Sequence, residues 1–395
     1  MRNPYASFKH LAHQKGLFFL DSSQPGQESK TSYIGHSPVD QIRGRDLNDL
    51  RKVLKKYQRR SGGLSAGGAV GYIAYDGRYC FGIYPHILTF DHSRTPTVEA
   101  AVSKQDAHVP MASKLKFHSA VGSLQYQQAV KKALQHIHDG NIYQINLARK
   151  IEIVLKDWPK HGSATAIYEA LRRYSPSPFS AYYDDGGQII LSSSPERFLK
   201  LSNGIAQIKP MKGTRPRGQN KAADARFKKE LLNSPKEIAE LLMVTDLERN
   251  DLGRVCDYGS VKVKHMRSIE EYAHVFQATA TIEGKLNKRF DGIDLIKAAF
   301  PGGSVTGCPK IEAMKIINDL EKEKRGAYTG ALGYIAFDGS MDFSVLIRSL
   351  FLKRDTISFY VGSGIVADSK PAEEYKETCL KAEAIERALQ EAFGG

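Results

Sequence analysis

The sequence predicts an α+β fold made of two related halves, and three observations carry that expectation. Strand-like segments come in groups instead of alternating one for one with helices, which argues against a doubly wound parallel sheet. Gly68-Ala-Val-Gly71-Tyr72-Ile-Ala-Tyr-Asp76-Gly77 returns as Gly330-Ala-Leu-Gly333-Tyr334-Ile-Ala-Phe-Asp338-Gly339, identical at eight of ten positions. Each copy reads as a strand followed by an Asp-Gly turn. One such repeat, so far apart, means two related halves packed on each other and not a solenoid. Finally, no long Gly/Ser- or Pro-rich stretch marks an interdomain linker, so residues 1–395 are expected to form a single domain.

Apolar residues at helical spacing predict helices over 126–138, 164–174, 236–247, 309–320 and 371–392. β-Branched and alternating runs predict strands over 143–155, 179–183, 188–191, 261–265, 275–282, 343–352 and 356–365. The segment 156–160 reads as a loop.

Composition excludes several classes. The chain is 41% hydrophobic and 25% charged, which is ordinary globular usage. No apolar run approaches the roughly 20 residues that cross a bilayer. Leu17-Phe18-Phe19-Leu20 is far too short for a signal-peptide core. Cys80, Cys256, Cys308 and Cys379 are scattered, which suits a reducing cytoplasm better than a disulfide framework or a zinc knuckle. The net charge of +14 is spread along the chain, with local clusters only at 51–60 and 209–229. Aromatic residues do not interleave with those clusters, so a small polyanion explains the excess better than nucleic acid does.

Several segments could carry chemistry. Pro210-Met211-Lys212-Gly213-Thr214 places a lysine beside Lys209, Arg215 and Arg217. Neighbouring cations disfavour the ammonium form and leave a nucleophilic amine, and they also attract an anionic substrate. Glu374 and Glu377 lie three apart just inside a helix begun by Pro371, an arrangement that puts both carboxylates on one face. Magnesium suits such a pair, with Glu240 as a third ligand. Glu196, after a strand, is a candidate general acid if burial raises its pKa. His274 lies beside a strand. The segment 301–310 has the Gly-x4-Gly spacing of a phosphate loop, but Cys308-Pro309 replaces the required Lys-Ser/Thr. No nucleotide or dinucleotide is implied, although amides at that helix start could hold a carboxylate. Taken singly, each signal also has a plain structural reading: a solvated basic turn, helix-surface glutamates, a strand-end Glu196 paired with Arg197, a packed core histidine.

Their order along the chain is more specific. Tyr143-Gln144-Ile145-Asn146-Leu147, Ser194-Pro195-Glu196-Arg197-Phe198, Pro210 to Thr214, Asp246-Leu247-Glu248-Arg249-Asn250-Asp251, Gly303 to Lys310, and Gly362-Ser363-Gly364-Ile365-Val366-Ala367-Asp368-Ser369 resemble the chorismate-utilising enzymes. That family includes anthranilate, aminodeoxychorismate, isochorismate and salicylate synthases. The resemblance is strong over 67–395 and weak over the short N-terminal portion, 1–66. There, residues 17–23 only loosely match the stretch that forms a tryptophan pocket in relatives. It implies a two-halved β-sandwich with outer helices and a site in the cleft between the halves.

The family's roles then fall on particular positions. Glu240, Glu374 and Glu377 match magnesium-site glutamates, with the metal bridging to the ring carboxylate of chorismate. Tyr328, Arg348 and the Gly362-Ser363-Gly364 loop match residues that hold the enolpyruvyl carboxylate. Gly213, Thr214, His274 and Thr306 match other pocket residues, and Glu196 matches the acid that protonates the departing ring hydroxyl. Isochorismate and salicylate synthases resemble one another in carrying a lysine base where this chain has Gln144, which speaks against both. Anthranilate synthases usually carry alanine where this chain has Lys212; lysine there resembles the aminodeoxychorismate-forming members, in which it attacks the ring before ammonia displaces it. Met211 and Cys308 are small departures from the pattern. No segment resembles a glutaminase, so the resemblance implies a separate glutamine amidotransferase that supplies ammonia. Without a fused lyase, aromatisation to 4-aminobenzoate would need another enzyme.

Overall fold

A computed structural model describes residues 3–23, 30–92, 115–155, 162–272 and 275–393. They form two large antiparallel sheets with helices on their outer faces. The first sheet has nine strands, in spatial order Gly307–Cys308, Gln144–Val154, Thr356–Ile365, Ser349–Lys353, Ile189–Ser194, Phe179–Asp184, Phe18–Asp21, Thr31–Gly35 and Leu88–Asp91. The second has ten, running Met211–Pro216, Val275–Lys285, Ile205–Ile208, Arg197–Ser202, Met341–Val345, Ala331–Ala336, Gly68–Ile73, Tyr79–Tyr84 and Asp40–Gly44, with Lys262–Glu271 also paired to Val275–Lys285.

Alternation along the strands explains the layers. One set of side chains, including Phe18, Tyr84, Tyr183, Leu332 and Phe351, fills the space between the sheets. The opposite set meets helices. Pro4–Leu11, Gly162–Tyr174 and Pro371–Ala392 cover the nine-stranded sheet, while Leu47–Lys56 and Gly292–Ala299 cover the ten-stranded one. The sandwich with outer helices expected from the sequence is therefore present. Near residues 20–22 the two sheets border a half-open cavity of about 350 Å³. Asp21, on its wall, is tied to Arg172 at 2.5 Å and to the Tyr168 hydroxyl at 3.1 Å.

The repeated segments meet within one sheet. They are neighbouring antiparallel strands in the middle of the ten-stranded sheet, with Gly71 opposite Gly333. The glycines are needed for close approach, because a Cβ at either would lie 2.0 Å from a carbonyl oxygen, that of Cys80 or Asp342. Each copy begins an equivalent hairpin, and Phe81 and Phe343 on the second strands meet edge to face at 6.1 Å.

Two expectations change in detail. The single strand expected over 343–352 is two strands in different sheets, Met341–Val345 and Ser349–Lys353, joined by a crossover at 346–348. Its apolar, β-branched residues hide the break, which contains no glycine or proline. The strand expected over 356–365 is present as Thr356–Ile365, so Gly362, Ser363 and Gly364, called a loop only by the family resemblance, lie at its end, paired with residues 146–148.

Candidate active site

The crossovers place the central groups. Strand Ile189–Ser194 belongs to one sheet and Arg197–Ser202 to the other, so Pro195 and Glu196 form a second bridge between layers. The bridges run side by side: the Ser193 amide donates to the Arg348 carbonyl at 3.1 Å, and the Val345 amide to the Glu196 carbonyl at 3.0 Å. Glu196 and Arg348 are thus fixed by backbone topology.

Glu196 is buried, 5% exposed, and burial raises its carboxyl to about 7 against the opposing pull of the Ser304 hydroxyl, Lys212 and the Met211 amide. A carboxyl so placed keeps its proton in part at neutral pH and can donate it. Arg348 sits at φ +49°, an uncommon backbone setting for a side-chain-bearing residue. Its guanidinium makes no hydrogen bond or ion pair among the described residues, and burial pulls its pKa below the ordinary value. An unpaired cation in such a place invites an anion.

Lys212 lies on the edge strand Met211–Pro216, where the register shifts between Met211 and Thr214. Gly213 makes that irregularity possible at φ +87°; an added Cβ would lie 2.8 Å from Leu231 Cδ1 and 2.9 Å from Glu237 Cδ. The Lys212 ammonium donates to the Ser304 carbonyl at 3.4 Å. At Gly364 an added Cβ would lie 2.9 Å from Gln144 Nε2 and 3.8 Å from Lys212 Nζ, so the amine, the amide and this glycine converge. Burial lowers the Lys212 pKa, opposed by Glu240 and Glu196 and aided by Lys381. The cause differs from the one expected. Arg215 is paired with Glu237 at 2.7 Å, Arg217 with Asp224 at 2.5 Å, and Lys209 with Glu270. Desolvation, not crowding by those three cations, is what favours the free amine.

The three glutamates are distributed unequally. Glu374 is buried and accepts a hydrogen bond from Ser369 Oγ at 2.7 Å, leaving its other oxygen without a partner. Glu377 is exposed and held by Lys381 at 2.6 Å. Glu240 is half-buried, and burial raises its pKa with Lys212 and Lys236 opposing and Glu377 assisting. Spacing alone suggested a shared face for Glu374 and Glu377, yet one points into the fold and the other into solvent. Among the described residues no three His, Cys, Asp or Glu side chains stand close enough to hold an ion together. The donor chemistry, carboxylate oxygens with one buried and unpartnered, still suits a hard divalent cation.

The remaining positions divide. Tyr328 is buried, stacked on Tyr360 at 4.9 Å, and burial pushes its hydroxyl up to about 12. Thr306 is buried and donates to the Gly302 carbonyl at 2.9 Å, while the Ser363 hydroxyl is bonded to Tyr126 at 2.9 Å. Thr214 is exposed on the edge strand, and His274 lies outside the described residues.

Two residues not singled out by sequence brace the site. Arg325 binds Glu321 at 2.6 Å and the carbonyls of Val305 and Asn146 at 2.9 and 2.6 Å, pinning the 303–306 segment to strand Gln144–Val154. It belongs to the charge-rich run 321–325, which reads as solvated surface. Lys310 binds Asp251 at 2.5 Å, joining the helix after Pro309 to the helix Pro235–Gly253. Around them Gln144 Oε1, Asn146 Oδ1, Ser304 Oγ and Glu248 Oε2 are buried without a hydrogen-bond partner. Unsatisfied buried polar atoms are rare in folded proteins, and a group of them is what a polar ligand site requires. A desolvated amine and a partly protonated carboxyl therefore stand together, which fits acid-assisted substitution.

The family of chorismate binding enzymes matches residues 16–387. The chain is 36% identical to an anthranilate synthase component 1 of Saccharolobus solfataricus, over 98% of this chain and 97% of that protein. It is 39% identical to an aminodeoxychorismate synthase component 1 of Bacillus subtilis, over 67% of this chain and 55% of that protein. The chain spans about half the length of several curated relatives, the Bacillus protein included. Anthranilate synthase component I from Streptococcus pneumoniae has a solved structure that superimposes with a TM-score of 0.79 at 28% identity, covering 92% of this chain and 93% of that one. On the match along almost its whole length, the chain belongs to the family of chorismate binding enzymes.

Proposed function

We propose that the chain converts chorismate and ammonia to 4-amino-4-deoxychorismate through a covalent intermediate on Lys212. The observation that carries this reading is the placement of the Lys212 amine, desolvated, beside the buried Glu196 carboxyl and against Gln144. The amine attacks the diene ring. The 4-hydroxyl leaves by allylic displacement and takes the proton of Glu196, so that water departs. Ammonia then displaces the lysine and leaves nitrogen on ring carbon 4. One difficult displacement becomes two easier ones. Arg348 receives the enolpyruvyl carboxylate, with Tyr328 and the Gly362 to Gly364 strand end beside it. Glu240, Glu374 and Glu377 would hold magnesium, which when bound neutralises the ring carboxylate. Gln144 has no basic nitrogen to activate water, so hydroxylated products are disfavoured. Ammonia would come from glutamine through an amidotransferase, the partner that the family resemblance implies.

A second reading is anthranilate formation, favoured by the relative named anthranilate synthase component 1 that matches over nearly its full length. The two differ in the ring carbon that takes nitrogen and in whether the enolpyruvyl group leaves as pyruvate. Incubation of the purified chain with chorismate, magnesium and an ammonium salt should give the 4-amino product without pyruvate. Stoichiometric pyruvate together with fluorescent anthranilate would replace the first reading with the second.

A further inference from the structure

The proposed reaction uses two nucleophiles, and Lys212 is only the first. Ammonia, the second, needs a seat of its own beside the ring. On the strand Gln144–Val154, Gln144 and Asn146 are two apart, so their side chains share one face of the sheet. On the neighbouring strand Thr356–Ile365, Gly362 and Gly364 share that face too, Gly364 being the register partner of Asn146. An added Cβ at Gly362 would lie 3.0 Å from Asn146 Oδ1. One at Gly364 would lie 2.9 Å from Gln144 Nε2 and 3.8 Å from Lys212 Nζ. Those two Cβ positions, two residues along a strand, stand roughly 7 Å apart. The Asn146 acceptor, the Gln144 amide and the Lys212 amine therefore overlook one short strip of bare backbone.

Asn146 is held there by its backbone. Its amide donates to the Thr306 carbonyl at 2.8 Å, and its carbonyl accepts from Arg325 at 2.6 Å. The side chain is left over: Oδ1 is buried and, like Gln144 Oε1, has no hydrogen-bond partner among the described residues. A buried acceptor without a donor is costly, so two of them on one face call for a ligand that brings N–H or O–H groups. The carboxylates of chorismate bring none. Ammonia brings three, and giving two of them to carboxamide oxygens leaves the nitrogen lone pair free to turn to the ring.

We propose that Asn146 Oδ1, together with Gln144 Oε1, is the seat of ammonia in this site. The inference rests on the proposed function, in which ammonia is the second nucleophile. As the bond from nitrogen to ring carbon 4 forms, the bond from the ring to Lys212 Nζ breaks with an allylic shift of the double bonds. Lys212 leaves as a neutral amine, and the positive charge it carried passes to the new ammonium group. Carboxamide oxygens already aimed at that nitrogen stabilise the charge as it arrives.

Asn146→Leu keeps the size of the side chain and removes its acceptor. In initial rates at saturating chorismate and magnesium, whatever the product, its KM for ammonium should rise roughly tenfold or more, as the loss of one good hydrogen bond requires. KM for chorismate should change far less, and the Lys212 peptide should still gain the mass of the ring when ammonia is withheld. Asn146→Asp, which restores an acceptor, should recover most of the ammonium affinity. Asn146→Ala takes the place of the leucine variant if that one fails to fold. An unchanged KM for ammonium overturns the inference. So does a loss that falls equally on KM for chorismate or on the mass gain, since Asn146 would then hold the ring. If the product is anthranilate, the proposed function fails while the KM for ammonium still decides the seat. Absence of any ammonium-dependent turnover in the unsubstituted protein would sink both.

Discussion

At the scale of single residues, the site works by desolvation. Burial holds Glu196 near neutrality as an acid and lowers the cost of a neutral Lys212, two opposite shifts from one physical cause. As the proposed acid, Glu196 acts when protonated, so its contribution is full well below about 7 and lost as pH rises through that value, whereas the amine gains as pH rises. A bell-shaped kcat/KM profile with its acid-requiring limb near neutrality is the expected result. Glu196→Gln should lower kcat by roughly 10²- to 10⁴-fold without a matching rise in KM, as measured by steady-state chorismate consumption. The chemical types at both positions are legible in the sequence, and so is their order. The cause of the Lys212 shift is not: Arg215 and Arg217 look like its perturbers until their partners Glu237 and Asp224, distant or separated in sequence, are seen.

Single elements decide whether those residues are aimed correctly. The edge strand Met211–Pro216 delivers Lys212 only because Gly213 accepts a positive φ in a space closed by Leu231 and Glu237. Gly213→Ala should cost on the order of 1 kcal/mol in thermal unfolding and reduce kcat more than a change far from the site with the same stability loss. The sheet-to-sheet bridge at 346–348 presents Arg348 in the same manner. Arg348→Lys, which keeps the charge but loses the paired donors, should raise KM for chorismate about tenfold or more with folding intact, read from initial rates and circular dichroism. Periodicity places strands and helices near these points. It does not reveal the bridges themselves, because Leu346, Ile347 and Arg348 carry the composition of a continuous strand while the chain changes sheets. The strand Thr356–Ile365 is legible from its alternation, and its glycines serve close packing against strand Gln144–Val154.

For the whole molecule, the sandwich supplies a rigid frame in which separate segments meet. The repeat is visible in sequence and does report an internal relation, but its copies pair within one sheet, a register that only three-dimensional hydrogen bonding fixes. The glutamates illustrate the same boundary. Helical spacing puts Glu374 and Glu377 near one another, whereas the fold buries the first and ties the second to Lys381. A chelator should accordingly abolish turnover and added magnesium restore it, and in calorimetry Glu374→Gln should weaken magnesium binding by on the order of 1 kcal/mol or more, as loss of a charged ligand does. The central claim, that Lys212 becomes bonded to the ring, is tested most directly by mass spectrometry of protein quenched during turnover of chorismate with magnesium and without ammonia. The expected result is a gain equal to chorismate less one water, located on the peptide containing Lys212 and absent from Lys212→Ala. An unmodified peptide, with Lys212→Ala still forming the 4-amino product at the normal rate from ammonium, would contradict it.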